Sequence, residues 1–199
     1  MKNILMKGFI RELLITVGLA VAIFFILQTT IQSSIVEGSS MQPGLQDGDR
    51  LIVIKPVYTF TSPQRGEIVI IHPPVAPDKE WVKRVIGIPG DTIEIKNGTV
   101  YVNNVALDEP YIKAKPAYPR YGPIQVPPDN YFVLGDNRNN STDSHTGWTV
   151  SRQNVVGEVW LRIWPFSNWG IVRGYPLSQE LQSSAQNQTS LLTGSLIWP

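Results

Sequence analysis

Hydrophobic and polar positions divide the chain into two unlike parts. From Phe9 to Ile31 the sequence reads FIRELLITVGLAVAIFFILQTTI, and the run from Leu13 to Leu27 carries no charge. A membrane-crossing helix needs about 20 mostly apolar residues, so residues 9–31 predict one transmembrane anchor. Residues 1–8 form a short N-terminus. Lys2, Lys7 and Arg11 favour the cytoplasmic side for it, which puts everything after Ile31 across the membrane. A cleaved secretory signal shares the charged start and apolar middle, with Ala20-Val21-Ala22 as a small-x-small site; a buried soluble helix is the third reading. That site lies inside the apolar run, with Phe24-Phe25-Ile26-Leu27 behind it, which favours a retained anchor.

Beyond the anchor no helical period persists. LIVI (51–54), EIVIIH (67–72), WVKRVIGI (81–88), TIEIKNGTVYVNNVAL (92–107) and NYFVLGD (130–136) place β-branched and aromatic residues between turn signals. TIEIK and TVYVN flank Asn97-Gly98, whose tolerance of positive φ suits a type I′ hairpin turn. Residues 32–175 therefore predict a mostly β domain built on a coiled antiparallel sheet. Within it, residues 107–128 are rich in proline and lack a period, which reads as a long surface loop or a small subdomain. Residues 176–199 turn polar and read as a flexible tail.

Composition narrows the chemistry. A net charge of +1 offers no basic excess for nucleic-acid phosphates, so no nucleic-acid partner is expected. The chain has no cysteine and only two histidines, His72 and His145, which removes thiolate nucleophiles and Cys- or His-rich metal sites. Neither metal nor cofactor is expected.

Three clusters remain. Gly38-Ser39-Ser40-Met41-Gln42-Pro43 begins just past the anchor; at about 3.5 Å per residue, Ser40 lies within about 30 Å of Ile31. Alone it reads as a turn. In the segment WVKRV, strand alternation puts Trp81, Lys83 and Val85 on one face, so Lys83 is either a base made acidic by apolar neighbours or an edge-strand lysine that blocks aggregation. A neutral amine can take the proton of a serine hydroxyl as it attacks a carbonyl. To be half neutral at pH 7 a lysine must drop about 3.4 pKa units, worth about 4.6 kcal/mol, so the site must be dry. The third cluster, GDNRNNSTDSH (135–145), packs acids, an arginine and hydroxyls into one loop. Ser141 can bond the amine there, while Asp136, Arg138 and Asp143 can brace the loop through charge-assisted bonds, the alternative being a merely solvated loop.

An apolar anchor followed by GSSMQP, GDRLIV (48–53), RGEIVI (65–70), VKRVIGIPGD (82–91) and GDNRNNSTDS (135–144) resembles the ordered motifs of type I signal peptidases, over about residues 8–165. The resemblance implies the coiled antiparallel β-sheet catalytic domain of that family behind one N-terminal transmembrane helix. It further implies a membrane-anchored serine endopeptidase that removes signal peptides from exported preproteins after an Ala-x-Ala-like site, through an acyl-enzyme. By the same resemblance Ser40 is the nucleophile, Lys83 the general base and Ser141 the residue that orients the lysine. The oxyanion hole combines the nucleophile's N–H with a group at the position of Gly38, which has no hydroxyl, so that a water or the local backbone must substitute. Val36, Leu45, Leu51, Ile70, Trp81 and Val82 match pocket-lining positions beside an extended substrate that pairs with residues 36–40 and 80–84. Asn139 and His145 stand where many members have Asp and Arg, a combination similar to the cyanobacterial and thylakoid branch.

The implied partners are signal-peptide-bearing preproteins, the lipid bilayer and a nearby export translocon, with the catalytic domain on the periplasmic or thylakoid-lumen side. WLRIWPFSNW (160–169) suits either an interfacial aromatic belt or an ordinary core strand. Two rivals stay open: a Ser/His/Asp hydrolase using His145 and Asp143, and a silent membrane-tethered β adaptor.

Overall fold

The computed structural model describes residues 2–118, 120–179, 181–183 and 186. The apolar N-terminal run forms helix α1, Lys2–Thr30. Within it, Ile10–Thr30 is long and apolar enough to cross a membrane, and none of that stretch is buried against the rest of the chain. Leu14 and Phe25 are 66% and 62% exposed, apolar surface that water does not favour. The helix passes into the first strand with no intervening residue, and Lys55 N–H donates to the Thr30 carbonyl (3.0 Å) at the junction.

The strands are β1 (Ile31–Ile35), β2 (Arg50–Ile54), β3 (Ile68–Ile71), β4 (Trp81–Gly87), β5 (Thr92–Lys96), β6 (Thr99–Val102), β7 (Val105–Ala106), β8 (Arg120–Gln125), β9 (Asn130–Leu134), β10 (Val150–Ser151), β11 (Val155–Trp164) and β12 (Gly170–Ile171). Among the described residues they make two sheets. The larger runs β1-β2-β11-β3-β4-β9-β10, with β12 on β11; the smaller runs β7-β6-β5-β8. Every recorded pairing is antiparallel, and register shifts interrupt β11 against both β2 and β3. Such bulges bend and twist a strand, which curls the larger sheet.

Alternation distributes the apolar side chains of β3 between two cores. Ile68 and Ile70 join Val36, Met41, Leu45, Leu51, Val53, Val82 and Val159 in one; Val69 and Ile71 join Tyr58, Val85, Tyr131, Val133, Val150 and Val155 in the other. A third core fills the smaller sheet around Ile93, Ile95, Val100, Val102, Phe132 and Leu134. The hairpin between β5 and β6 turns at Asn97 and Gly98, with φ of 51° and 72°, as their residue types require.

Three readings are narrowed or changed. Of the two readings of the proline-rich stretch, the small subdomain fits better than the loop: β8 pairs with β5, from Thr92↔Gln125 to Lys96↔Arg120, so this stretch completes a small second sheet. The tail expected to be flexible from residue 176 begins packed, because Leu177 and Leu181, four apart on one helical face, enter the third core. Most of the chain beyond Leu181 lies outside the described residues. The aromatic stretch is not core strand: Trp160, Trp164, Phe166 and Trp169 are all exposed on β11 and the turn after it.

Candidate active site

Three segments meet at one end of the larger sheet. After β1 the chain turns at Gly38, whose φ of +87° is open to glycine at little cost, and its N–H donates to Asp47 Oδ1 (2.7 Å). Gly38 thus brings neither a hydroxyl nor a free N–H to the site. The turn presents Ser40 while Met41, 1% exposed, plugs the core below.

Lys83 arrives from β4, paired here with β3, and its side chain is buried instead of standing in solvent, so the reading of an exposed edge-strand lysine that blocks aggregation does not hold. It is 3% exposed, its Nζ lies 2.9 Å from Ser40 Oγ, and the Trp81 ring centroid is 5.5 Å away. Burial brings its pKa down to about 8, against the opposing charges of Asp143 and Asp136. At pH 7 about a tenth of such a lysine is neutral, against roughly one part in a few thousand for a free one.

The loop after β9 braces the Ser39–Ser40 turn. Asn137 N–H donates to the Ser40 carbonyl (2.9 Å) and its Nδ2 to the Ser39 carbonyl (3.0 Å), while Asn140 Nδ2 donates to Ser39 Oγ (2.7 Å). Neither asparagine was singled out from the sequence, where an amide within a polar loop carries no signal of its partner. Gly135 allows the approach: a Cβ there would sit 2.3 Å from Ser141 Oγ and 2.6 Å from the Ser40 carbonyl oxygen. Ser141 lines the same groove, its buried Oγ without a hydrogen-bond partner.

The remaining charged residues of the loop are paired. Asp136 receives a two-pronged pair from Arg84 (Nε 2.8 Å, Nη2 2.7 Å), whose Nη1 donates to the Gly66 carbonyl. Arg138 forks onto Glu109 (2.9 and 2.5 Å) and donates to the Gly135 carbonyl (3.1 Å). Asp143 accepts from Gly135 N–H (2.9 Å) and from the His145 ring (2.6 Å). The imidazole therefore serves Asp143, and the group on Ser40 Oγ is the lysine, which disfavours the Ser/His/Asp rival.

An open groove of about 760 Å³ runs past this point, walled by Ser33–Gly38 on one side and Lys79–Lys83 on the other. Both walls offer backbone. β1 ends its sheet, and β9 pairs with β4 only from Arg84 onward, which leaves the Trp81–Lys83 edge facing the groove. Val36, Trp81 and Val82 line it, whereas Leu45, Leu51 and Ile70 are buried in the core beneath, at 2%, 0% and 0% exposure.

A serine hydroxyl and a buried lysine amine thus stand within hydrogen-bond distance at the wall of an open groove, where a neutral amine can take a hydroxyl proton. Comparison with known proteins gives the family. Residues 7–164 match the family model described as signal peptidase, peptidase S26. A protein described as "Probable signal peptidase I-2" from a Synechocystis species is 47% identical over 142 residues, covering 69% of this chain and 65% of that one. A signal peptidase I from Leptolyngbya laminosa is 41% identical over 78% of this chain and 80% of its own. Signal peptidase IB of Staphylococcus aureus is 37% identical over 82% and 94%. The chain belongs to the signal peptidase family, peptidase S26, and two of these relatives are cyanobacterial.

Proposed function

We propose that the chain is a membrane-anchored endopeptidase that removes N-terminal signal peptides from exported preproteins, using Ser40 as nucleophile and Lys83 as general base. The observation that carries this reading is the 2.9 Å separation of Ser40 Oγ from the Nζ of a lysine buried to 3% exposure.

In its neutral form Lys83 takes the Ser40 proton as Oγ attacks the scissile carbonyl carbon. The Ser40 N–H is one donor to the oxyanion. The C–N bond then breaks, the leaving amine takes its proton from the Lys83 ammonium, and an ester to Ser40 remains. Water gives a proton to Lys83 and attacks the ester; the C–O bond breaks and Ser40 regains its proton. Asn137 and Asn140 hold the Ser39–Ser40 turn in place, and the unpartnered Ser141 hydroxyl is the group that orients the Lys83 amine.

The substrate lies extended between the two groove walls as an added strand. Val36, Trp81 and Val82 crowd its side chains, so small residues at the first and third positions before the cut fit best, an Ala-x-Ala-like preference. Anchored by Ile10–Thr30 with Lys2 and Lys7 on the cytoplasmic side, the catalytic domain works on the far face of the bilayer, near the translocon that delivers its preproteins. The test is to incubate the full chain in detergent with an Ala-x-Ala precursor and locate the cut by mass spectrometry. Cleavage after the second alanine is expected; an intact precursor across pH and detergent would overturn the proposal in favour of a silent adaptor.

A further inference from the structure

The loop that carries Asp143 is clasped from outside by the segment joining β7 to β8 of the second sheet, which does not line the groove. Lys113 N–H donates to the Asp136 carbonyl (3.1 Å). Asn139 bonds the same segment twice, its Nδ2 donating to the Lys115 carbonyl (3.1 Å) and its Oδ1 accepting from Ala117 N–H (2.7 Å). One residue on, the Tyr118 ring lies flat on the His145 imidazole, with centroids 4.5 Å apart and planes 4° from parallel.

These contacts explain both departures from the commoner family pattern together. An amide at 139 both donates and accepts, which a carboxylate cannot do. A flat imidazole at 145 stacks on tyrosine while one nitrogen reaches Asp143. A carboxylate can only accept, so His145 Nδ1 carries the proton in the 2.6 Å contact; the His145 backbone N–H also donates to Asp143 Oδ1 (3.2 Å).

Building on the Ser40/Lys83 reading, we infer that His145 is a positioning residue for Lys83: clamped between Tyr118 and Asp143, it fixes and partly neutralises the carboxylate that faces the lysine. The connection between β7 and β8 thereby takes part in catalysis without touching substrate. Asp143 is fully buried and meets His145 from its own loop, Gly135 N–H from the end of β9, and the charge of Lys83 from β4; Tyr118 and Tyr121 feel its charge from the insertion side. Asp136 is the other acid acting on Lys83, and Arg138 and Glu109 act on Tyr118.

The experiment is the pH profile of kcat/KM for precursor cleavage by the full chain in detergent, from about pH 6 to about pH 10. In His145→Ala the Asp143 carboxylate loses its ring donor, its charge acts on Lys83 less opposed, and the lysine holds its proton more tightly. The acid limb is expected to move up by about 0.5–1 pH unit, with a loss of roughly 3- to 10-fold at pH 7. His145→Asn, whose amide can still donate to Asp143, should return the limb most of the way to its wild-type position, and Tyr118→Leu should move it upward as His145→Ala does, by less. A His145→Ala limb at the wild-type position, whether the rate is full or lowered evenly at every pH, overturns the inference. Should His145→Ala fail to fold, an unshifted limb in Tyr118→Leu overturns it equally. A Ser40→Ala control separates the two levels: if it still cleaves, the dyad reading fails; if it is dead, an unshifted limb counts against His145 alone.

Discussion

Lys83 and Arg84 are neighbours on one strand and equally hidden, at 3% and 4% exposure, yet they face opposite electrostatic surroundings. Arg84 points to a fork of Asp136 oxygens, the Gly66 carbonyl and the Tyr111 ring, 4.1 Å from its guanidinium carbon, so its charge is matched on every side. Lys83 has a hydroxyl and an indole close by, and its carboxylates act only from a distance. A buried cation with close partners on every side holds structure; one without a close carboxylate has its charged form disfavoured by burial and can act as a base.

The widest separation of the two faces is in rate. Ser40→Ala and Lys83→Ala are each expected to lower kcat/KM for precursor cleavage by at least about 10³-fold with the fold retained by circular dichroism. Next is stability on the other face: Asp136→Ala strands the Arg84 charge and should cost about 3–5 kcal/mol in denaturant unfolding, even where residual activity persists at low temperature. Gly135→Ala pushes a methyl group toward both Ser141 and the Ser40 carbonyl and should reduce kcat by about 10- to 100-fold.

Lys83→Met tests the cost of the unmatched charge directly. The folded pKa is about 8, below the unfolded value of about 10.4, so the folded chain disfavours the ammonium. Between those values the unfolded chain holds a proton the folded chain lacks, and wild-type stability rises with pH through that window. At pH 7 the full penalty applies, and Lys83→Met should stabilise the inactive protein by about 1–3 kcal/mol; a destabilised variant would count against the comparison. The smallest effect is the rate itself against pH: raising pH from 7 to 8 takes the neutral fraction from about a tenth to about a half, so kcat/KM should rise about fivefold.

Much of this was legible in local pattern. Alternation alone put Trp81, Lys83 and Val85 together, and Asn97-Gly98 announced its hairpin. Partners remote in sequence were not legible. Glu109 meets Arg138 across 29 positions, and Tyr118 meets His145, from a stretch whose prolines conceal any period. The burial of Leu45, Leu51 and Ile70 under the groove, instead of along it, depends on how the larger sheet curls, which the register shifts of β11 set and no two-residue period reveals.

The seamless passage from α1 to β1 gives the groove a fixed altitude. β1 is five residues, about 17 Å of extended chain, and it is both the first stretch beyond the helix and one wall of the cleft. On the proposed reading, a substrate strand laid beside it is measured against the same rod that anchors the chain. The cut then falls at a set height above the membrane, and distance joins side-chain size as a criterion of selection.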